Sequence, residues 1–335
     1  MVVPDRTGRE RVTALLQGNL INQPVVFPLV VANHAARLAR TPLHLTLTRP
    51  DVLAQVLFAA YQHYRYDLVM VFSDVLVEAE AMGCQVAIPH DDAPVLLEPA
   101  DEAGLEPADP EASGRMPVVL EATERLKELV GNEVFVVTSL KGPFSLASFL
   151  AGTERFLTDL LEEPSRAHRF LKAALENQRR FVRAIVNRGG VPFIGDPMAS
   201  GSIISPTMFQ EFAEPYLTAL VQEIHHQRSW TGLHICGDSS AILPMMRETG
   251  ADVLSIDEMD MNLVRKRLGP KTVVMGNVST SLLLEGTPEQ VRTAAHECLK
   301  RGLPSLVLSS ACDVPVDAPS ENVRALVQVA REWQA

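Results

Sequence analysis

A histidine and a cysteine stand one residue apart in the stretch TGLHICGDSS, residues 231–240, as His234 and Cys236. Residues i and i+2 of a β-strand project to the same face, so both side chains can reach one ion. Cys312, in VLSSACDVP, is another cysteine at the end of an apolar run. If the strand ends converge on one opening, the three residues supply one nitrogen and two sulfur ligands. That donor set suits zinc, whose catalytic sites typically combine three protein ligands with an open position.

The same three residues also have a purely structural interpretation. Cysteine is among the most buried residue types, and a single histidine on an apolar strand is usually a hydrogen-bonded core residue. Cys84 and Cys298 illustrate this, because the first lies beyond the strand ends and the second lies within a helical segment, AAHECLK. The spacing alone therefore leaves both interpretations open.

Several other polar residues follow the apolar runs, and parallel barrels place such residues at the active-site mouth. Asp257 and Glu258 can act as acid–base groups, as an exchangeable fourth metal ligand or as orienters of a ligating imidazole; alternatively they cap the following helix. We predict catalytic roles for four carboxylates and cofactor binding by two further residues. The carboxylates are Asp74, Asp196, Asp257 and Glu258, and the two further residues are Lys141 and Asn277.

Eight short apolar runs must position these residues. They alternate with longer segments of helical period, which is the pattern of repeated βα units around a parallel sheet. The runs occupy residues 24–30, 67–73, 134–140, 191–195, 230–236, 251–257, 272–277 and 303–310. They predict an α/β fold, a (β/α)8 TIM barrel formed by a single domain, residues 1–335. Residues 85–116, after the second strand, are rich in Pro, Asp and Glu and predict a long excursion with hairpin character over one barrel mouth.

Composition and charge narrow the class of protein. The chain has 335 residues, 47% of them apolar, and a formal net charge of -11. Nucleic acids and anionic membranes select for clusters of Lys and Arg, so we predict neither as a partner. No run approaches the roughly 20 apolar residues of a membrane span and no signal-peptide pattern is present, so we predict a cytoplasmic protein. The chain has only 4 cysteines, too few for a disulfide framework.

Seven segments are similar, in the same order, to those of a known family. They are VEAEAMGCQV, GPFSLASFLAG, ISPTMFQEFAEPYL, LHICGD, LSIDE, VMGNVST and CDVPVDAPSENVRAL. The chain resembles the uroporphyrinogen decarboxylase superfamily and, within it, the zinc-dependent methylcobamide:coenzyme M methyltransferases. The resemblance implies that His234, Cys236 and Cys312 bind Zn²⁺, and that a zinc-activated thiolate attacks the methyl group of a methylated corrinoid. Zinc favours the thiolate because the cation stabilises the deprotonated sulfur.

Two other activities stay open within this resemblance. Asp74 in FSDVLVEAEAMG resembles the key aspartate of uroporphyrinogen decarboxylase. Against that activity, PLVVANHAARLARTP lacks the decarboxylase's R-Q-A-G-R-Y motif, and Cys312 replaces its G-H-G segment. The retained aspartate also suggests a divergent member that moves a methyl group from a methylated small molecule to the corrinoid.

The resemblance leaves the corrinoid carrier and the thiol to be identified. The chain lacks the D-x-H-x-x-G cobalamin motif, so we predict that a separate corrinoid protein or free methylcobalamin is the partner. A small thiol such as coenzyme M carries a sulfonate, which needs a cationic pocket. Four basic residues are candidates for that pocket: Arg37, Arg40, Arg115 and Lys141.

Overall fold

A parallel eight-stranded sheet forms a barrel in the computed structural model, which describes residues 7–19, 21–102 and 105–333. The strands in these residues are β1 Val25–Val26, β2 Leu68–Val71, β3 Gln85–Ala87, β4 Val95–Glu98, β5 Phe135–Lys141, β6 Val191–Gly195, β7 Gly232–Ile235, β8 Val253–Ile256, β9 Val273–Val278 and β10 Leu306–Ser310. β3 and β4 pair with each other, and the other strands form the barrel sheet. The predicted fold is confirmed, since each of the eight predicted runs overlaps one barrel strand.

Helices surround the barrel. In the described residues they are α1 Gly8–Leu16, α2 Ala32–Ala39, α3 Leu43–Thr48, α4 Pro50–Tyr64, α5 Val77–Ala81, α6 Met116–Val130, α7 Pro143–Ala151, α8 Thr153–Glu162, α9 Pro164–Asn187, α10 Pro206–Met208, α11 Glu214–His226, α12 Leu243–Glu248, α13 Met261–Leu268, α14 Thr280–Glu285, α15 Pro288–Gly302 and α16 Ser320–Glu332. A 3-10 turn spans Pro197–Ala199, and a π-helical segment, Phe209–Ala213, joins α10 to α11. None of these helices is both long enough and apolar enough to cross a lipid bilayer.

The barrel strands are buried beneath the surrounding helices, and this packing fixes the positions of the strand ends. All five residues of β10 and all four of β7 are buried, as expected for strands covered on both faces. The long helix α9 packs a stripe that includes Phe170, Phe181 and Ile185 against the barrel, and each of these side chains is at most 1% exposed. Burying one such side chain stabilises the fold by about 1.5–3 kcal/mol.

The seam between β1 and β2 is closed by a side chain. The strand ladder runs β1, β10, β9, β8, β7, β6, β5, β2, so it leaves β1 and β2 as its two edges. The amide of Asp67 donates to the carbonyl of Val26 at 2.9 Å, and the Asp67 carboxylate accepts the amide of Val26 at 2.8 Å. Arg11 and Arg331 form ion pairs with this fully buried carboxylate. The barrel is thus closed by a charged carboxylate where a strand ladder is missing.

The excursion after β2 only partly follows the prediction. Its hairpin, β3 with β4, is antiparallel as expected, and its tip reaches α3, where the amide of His44 donates to the carbonyl of His90 at 3.0 Å. The segment that follows lies against α9 instead, since the amide of Ala108 donates to Asn177 Oδ1 at 2.9 Å. Because α9 packs on the outside of the barrel, the prediction that the whole excursion covers the mouth is wrong for this part.

Candidate metal centre and active site

The structure brings His234, Cys236 and Cys312 together at the end of the barrel where the strands terminate. His234 Nε2 lies 3.1 Å from Cys236 Sγ and 3.6 Å from Cys312 Sγ, and the two sulfurs are 3.7 Å apart. His234 is on β7, while Cys312 follows β10, so 76 residues of chain separate the two cysteines. The closed barrel makes them neighbours.

These separations fit the edges of a tetrahedral zinc site. With Zn–S near 2.3 Å and Zn–N near 2.1 Å, tetrahedral ligands lie about 3.8 Å apart for two sulfurs and about 3.6 Å apart for sulfur and nitrogen. The two separations that involve Cys312 match these values, and the one between His234 and Cys236 is about 0.5 Å shorter. The cluster in the described residues supplies three ligands, which leaves one coordination position for a substrate.

Ser255 orients the imidazole of His234. The two residues are register partners on β7 and β8, and His234 Nδ1 lies 3.0 Å from Ser255 Oγ, which is fully buried. With Nε2 turned to the sulfurs, Nδ1 carries the hydrogen and donates to Ser255, which is the arrangement that holds a ligating histidine in one tautomer. Sequence reasoning missed Ser255, because only the register between two strands reveals it.

The hydrogen bond between the two cysteines shifts their pKa values in opposite directions. The pKa of Cys236 is lowered, chiefly because the thiol of Cys312 donates a hydrogen bond to its sulfur. The pKa of Cys312 is raised by the same hydrogen bond and by burial. Cys236 is therefore the readier thiolate of the pair, and thiolate is the form in which cysteine binds metals.

Asp257 and Asn277 position the loop beside the ligands. Asp257 Oδ2 accepts the amide of Gly237, the residue after Cys236, at 2.7 Å. Asn277 Nδ2 donates to the carbonyls of Asp257 and Met259 at 3.0 and 2.8 Å. The side-chain amide of Asn277 thus donates its hydrogen bonds to the loop and holds it in position.

Glu258 is exposed, and neither it nor Asp257 caps the next helix. The cap of α13 is Asp260, whose Oδ1 accepts the amide of Asn262 at 2.9 Å. The capping alternative for Asp257 and Glu258 is therefore wrong. The predicted roles of Asp257 and Glu258 in the chemistry stay predictions.

Asp196 and Lys141 lie at the ends of the neighbouring strands β6 and β5. Asp196 is fully buried, and its Oδ1 accepts the amide of Ser145 in the first turn of α7 at 2.7 Å, where the helix dipole favours a negative charge. Its Oδ2 has no hydrogen-bond partner among the described residues. Burial raises the pKa of Asp196 to about 6. Lys141 is 4% exposed, and its Nζ lies 4.5 Å from the centre of the Phe72 ring.

Asp74 forms a buried ion pair with Arg115. Arg115 Nη1 donates to Asp74 Oδ2, and its Nη2 lies 3.2 Å from Oδ1. Asp74 Oδ1 also accepts the amide of Leu76 at 2.9 Å, and Arg115 holds Glu80 through its Nε at 2.5 Å. The charge of the Asp74 carboxylate is thereby balanced by Arg115, whereas a catalytic aspartate would be expected to be unpaired.

The other basic candidates have different surroundings. Arg37 is exposed and pairs with Asp317 at 2.8 Å. Arg40 is exposed, and both arginines line a groove beside Asp91 of the hairpin. Arg115 is committed to two carboxylates, whereas Lys141 is in register, through Gly195, with His234 of the cluster.

The family model of uroporphyrinogen decarboxylase (URO-D) matches residues 7–333 of the chain. The chain belongs to this family. A methylated-thiol–coenzyme M methyltransferase of Methanosarcina mazei is 31% identical over 286 residues, covering 84% of this chain and 77% of the relative. The methylcobamide:CoM methyltransferase MtaA of Methanosarcina barkeri is 30% identical over 298 residues, covering 86% of each chain.

A solved structure has the same fold over nearly the whole chain. It is described as a methyltransferase from Methanosarcina mazei, and it superposes with a TM-score of 0.91 at 29% identity, covering 98% of this chain and 99% of that one. The comparisons confirm the predicted family and the prediction that the chain is a methyltransferase. The metal ligands and the substrates go beyond what they show.

Proposed function

We propose that the protein transfers a methyl group between a corrinoid and a small thiol, and that His234, Cys236 and Cys312 bind a zinc ion that activates the thiol. The observation that carries this proposal is the cluster of one imidazole nitrogen and two sulfurs, in which the two separations that involve Cys312 match those of a tetrahedral zinc site. The names of the relatives, which include methylcobamide:CoM methyltransferase, support the corrinoid and the thiol.

Each described residue of the site has a definite task in this reaction. A zinc ion held here would supply a positive charge that stabilises the thiolate form of the substrate. Ser255 keeps the His234 imidazole in the ligating tautomer, and Asp257 holds the loop that follows Cys236.

The group transfer itself is a nucleophilic displacement. The thiol proton leaves to solvent, and the thiolate sulfur forms a bond to the methyl carbon of the methylated corrinoid. The Co–C bond breaks as the S–C bond forms, and its electron pair stays on cobalt, which becomes Co(I). The corrinoid comes as a methylated corrinoid protein or as free methylcobalamin, so it is a substrate that must dock at the mouth.

A second candidate reaction runs in the opposite direction. One relative is named for a methylated thiol as its methyl donor, and this favours demethylation of a thioether by a Co(I) corrinoid. The same cluster serves both directions, because zinc stabilises the thiolate that leaves as well as the thiolate that attacks. The two directions differ in which methylated compound disappears.

An anaerobic assay tests the proposal. Purified protein is mixed with methylcobalamin and 2-mercaptoethanesulfonate (coenzyme M), and the cobalamin spectrum is followed for loss of the methyl–cobalt bond. We expect methyl transfer to the thiol and about one zinc per chain by metal analysis. Parallel reactions with Co(I) cobalamin plus a methylated thiol test the reverse direction, and a reaction with uroporphyrinogen tests decarboxylation.

Matched cysteine variants assign the metal centre. Cys312→Ser removes one ligand and is expected to lose both zinc and methyl transfer. Cys298→Ser alters a half-buried cysteine whose Sγ contacts Asn277 Oδ1 at 3.6 Å, outside the cluster, and is expected to keep both. The proposal is wrong if the protein purifies without zinc and the Cys312→Ser variant transfers methyl groups at the unaltered rate.

A further inference from the structure

The ammonium group of Lys141 is buried and forms no ion pair with the described residues. Lys141 is the last residue of β5 and is 4% exposed. No carboxylate oxygen of the described residues lies within 4.0 Å of its Nζ, which lies 4.5 Å from the centre of the Phe72 ring. A buried ammonium without a partner is costly, because burial disfavours the charged form. A positive charge in this position would be stabilised by an anionic ligand.

The strand register places Lys141 at the same level of the barrel as the proposed metal ligand His234. Lys141 pairs with Gly195 on β6, and Gly195 pairs with His234 on β7, so the three residues occupy one level of the barrel. A methyl group on Gly195 would lie only 3.1 Å from Lys141 Nζ. The lysine therefore extends across the space that a side chain at position 195 would fill. Since neighbouring strands are about 4.8 Å apart, Nζ lies no more than about 8 Å from the β-carbon of His234.

Two buried carboxylates near Lys141 accept hydrogen bonds from groups other than its ammonium. Glu78 Oε1 accepts the backbone amide of Lys141 at 2.7 Å and the amide of Gln178 at 3.1 Å. Asp196 Oδ1 accepts the amide of Ser145. Burial raises the pKa of Glu78 and of Asp196. Neither carboxylate forms an ion pair with the Lys141 ammonium group.

We propose that Lys141 binds the acid group of the thiol substrate, and that Gly195 provides the room for this contact. This inference rests on the proposed function, since it takes the substrate sulfur to lie at the His234–Cys236–Cys312 cluster. The short span from Nζ to His234 limits the substrate to a thiol whose acid group is separated from sulfur by about two or three carbon atoms. A sulfonate or carboxylate at that distance forms a charge-assisted hydrogen bond with Nζ. Lys141 then determines specificity for acidic over neutral thiols.

Substrate selectivity is the measurement that tests this role. We compare kcat/KM for 2-mercaptoethanesulfonate with that for 2-mercaptoethanol, which lacks the acid group. Lys141→Met is expected to lower this ratio about tenfold to a hundredfold, the range of a charge-assisted hydrogen bond, mainly through the KM of the sulfonate. Lys141→Arg keeps the positive charge and is expected to retain part of the selectivity. Lys172→Met, on the exposed side of α9, is the matched control and is expected to leave the ratio unchanged.

Calorimetric binding of ethanesulfonate provides a readout that needs no turnover. This anion has no thiol, so its affinity reports the acid subsite alone, and it is expected to bind the unaltered protein and to bind the Lys141→Met variant at least tenfold more weakly. Retained zinc and an unchanged melting temperature show that the variant is folded. The inference is overturned if Lys141→Met lowers kcat/KM for both thiols equally or leaves ethanesulfonate binding unaltered. If no thiol accepts the methyl group from any corrinoid, the proposed function fails, while the ethanesulfonate titration still decides whether Lys141 binds an acid group.

Discussion

Replacing Ser255 by Ala removes the hydrogen bond that orients the proposed zinc ligand His234. In the metal-bound state Nε2 faces the metal, so the hydrogen must remain on Nδ1, where the fully buried Ser255 accepts it at 3.0 Å. Without Ser255 this N–H has lost its partner, at a cost of about 1–3 kcal/mol. The metal-free state escapes much of that cost, because the imidazole can place its hydrogen on Nε2, which lies 3.1 Å from Cys236 Sγ. The cost therefore falls on zinc binding.

This difference predicts a loss of zinc affinity of about 10- to 100-fold, since 1.4 kcal/mol corresponds to a factor of ten. The assay is competition for zinc against a chromophoric chelator, with the unaltered protein and Ser255→Ala side by side. Ser148→Ala is the matched control, because Ser148 is equally buried and its hydroxyl donates to the carbonyl of Ser145 rather than to a metal ligand. Equal zinc affinity in all three proteins would refute the role assigned to Ser255, and so would an equal loss in both variants.

Three further outcomes follow from buried charges. Asp67→Asn removes the anion that pairs with two arginines at the β1–β2 seam, so unfolding in urea is expected to show a loss of about 3–5 kcal/mol, and a loss below about 1 kcal/mol contradicts the closure described above. Arg115→Met leaves Asp74 and Glu80 without their ion-pair partner and is expected to destabilise the protein by a similar amount. Adding Asp74→Asn is expected to restore part of that loss. A double variant that is no more stable than Arg115→Met contradicts the ion pair. Burial raises the pKa of Glu78 above its ordinary 4.5, so the folded state holds this proton more tightly than the unfolded state, and stability falls as the pH rises through the raised value. Glu78→Gln abolishes that dependence, so its stability relative to the unaltered protein is expected to increase as the pH rises above the ordinary value of 4.5; a constant or decreasing difference contradicts the assignment.

The sequence was sufficient to predict the barrel and to name the three residues that the structure gathers. Runs of Val, Ile and Leu separated by helical segments indicate buried parallel strands, and the strand ends then select His234, Cys236 and Cys312. Strand lengths were harder to predict, because an apolar run can continue into a buried loop. β1 ends at Val26 although the run extends to residue 30, since Pro28 has no amide hydrogen for the ladder.

The partners of these residues could not be read from the sequence. Ser255 and Gly195 gain their importance from the register of β7 with β8 and of β5 with β6, which depends on packing of the whole barrel. Asp74 meets Arg115 only because the excursion returns to the mouth 41 residues later. The sequence therefore identifies side chains that can do chemistry. Which of them are paired with an opposite charge depends on contacts between distant segments of the chain.

The seam between β1 and β2, which Asp67 bridges, is a place where the barrel can widen. Three hydrogen bonds in the described residues cross from the β1 segment to the β2 segment: those between Val26 and Asp67, one in each direction, and one from the amide of Ala32 to the carbonyl of Phe72. By contrast, β9 and β10 are in register over five residue pairs. Separating β1 from β2 thus disrupts fewer hydrogen bonds than separating strands joined by such a ladder. A movement that separated β1 from β2 would leave intact the strand pairs that include β7, which carries His234, and β10, which precedes Cys312.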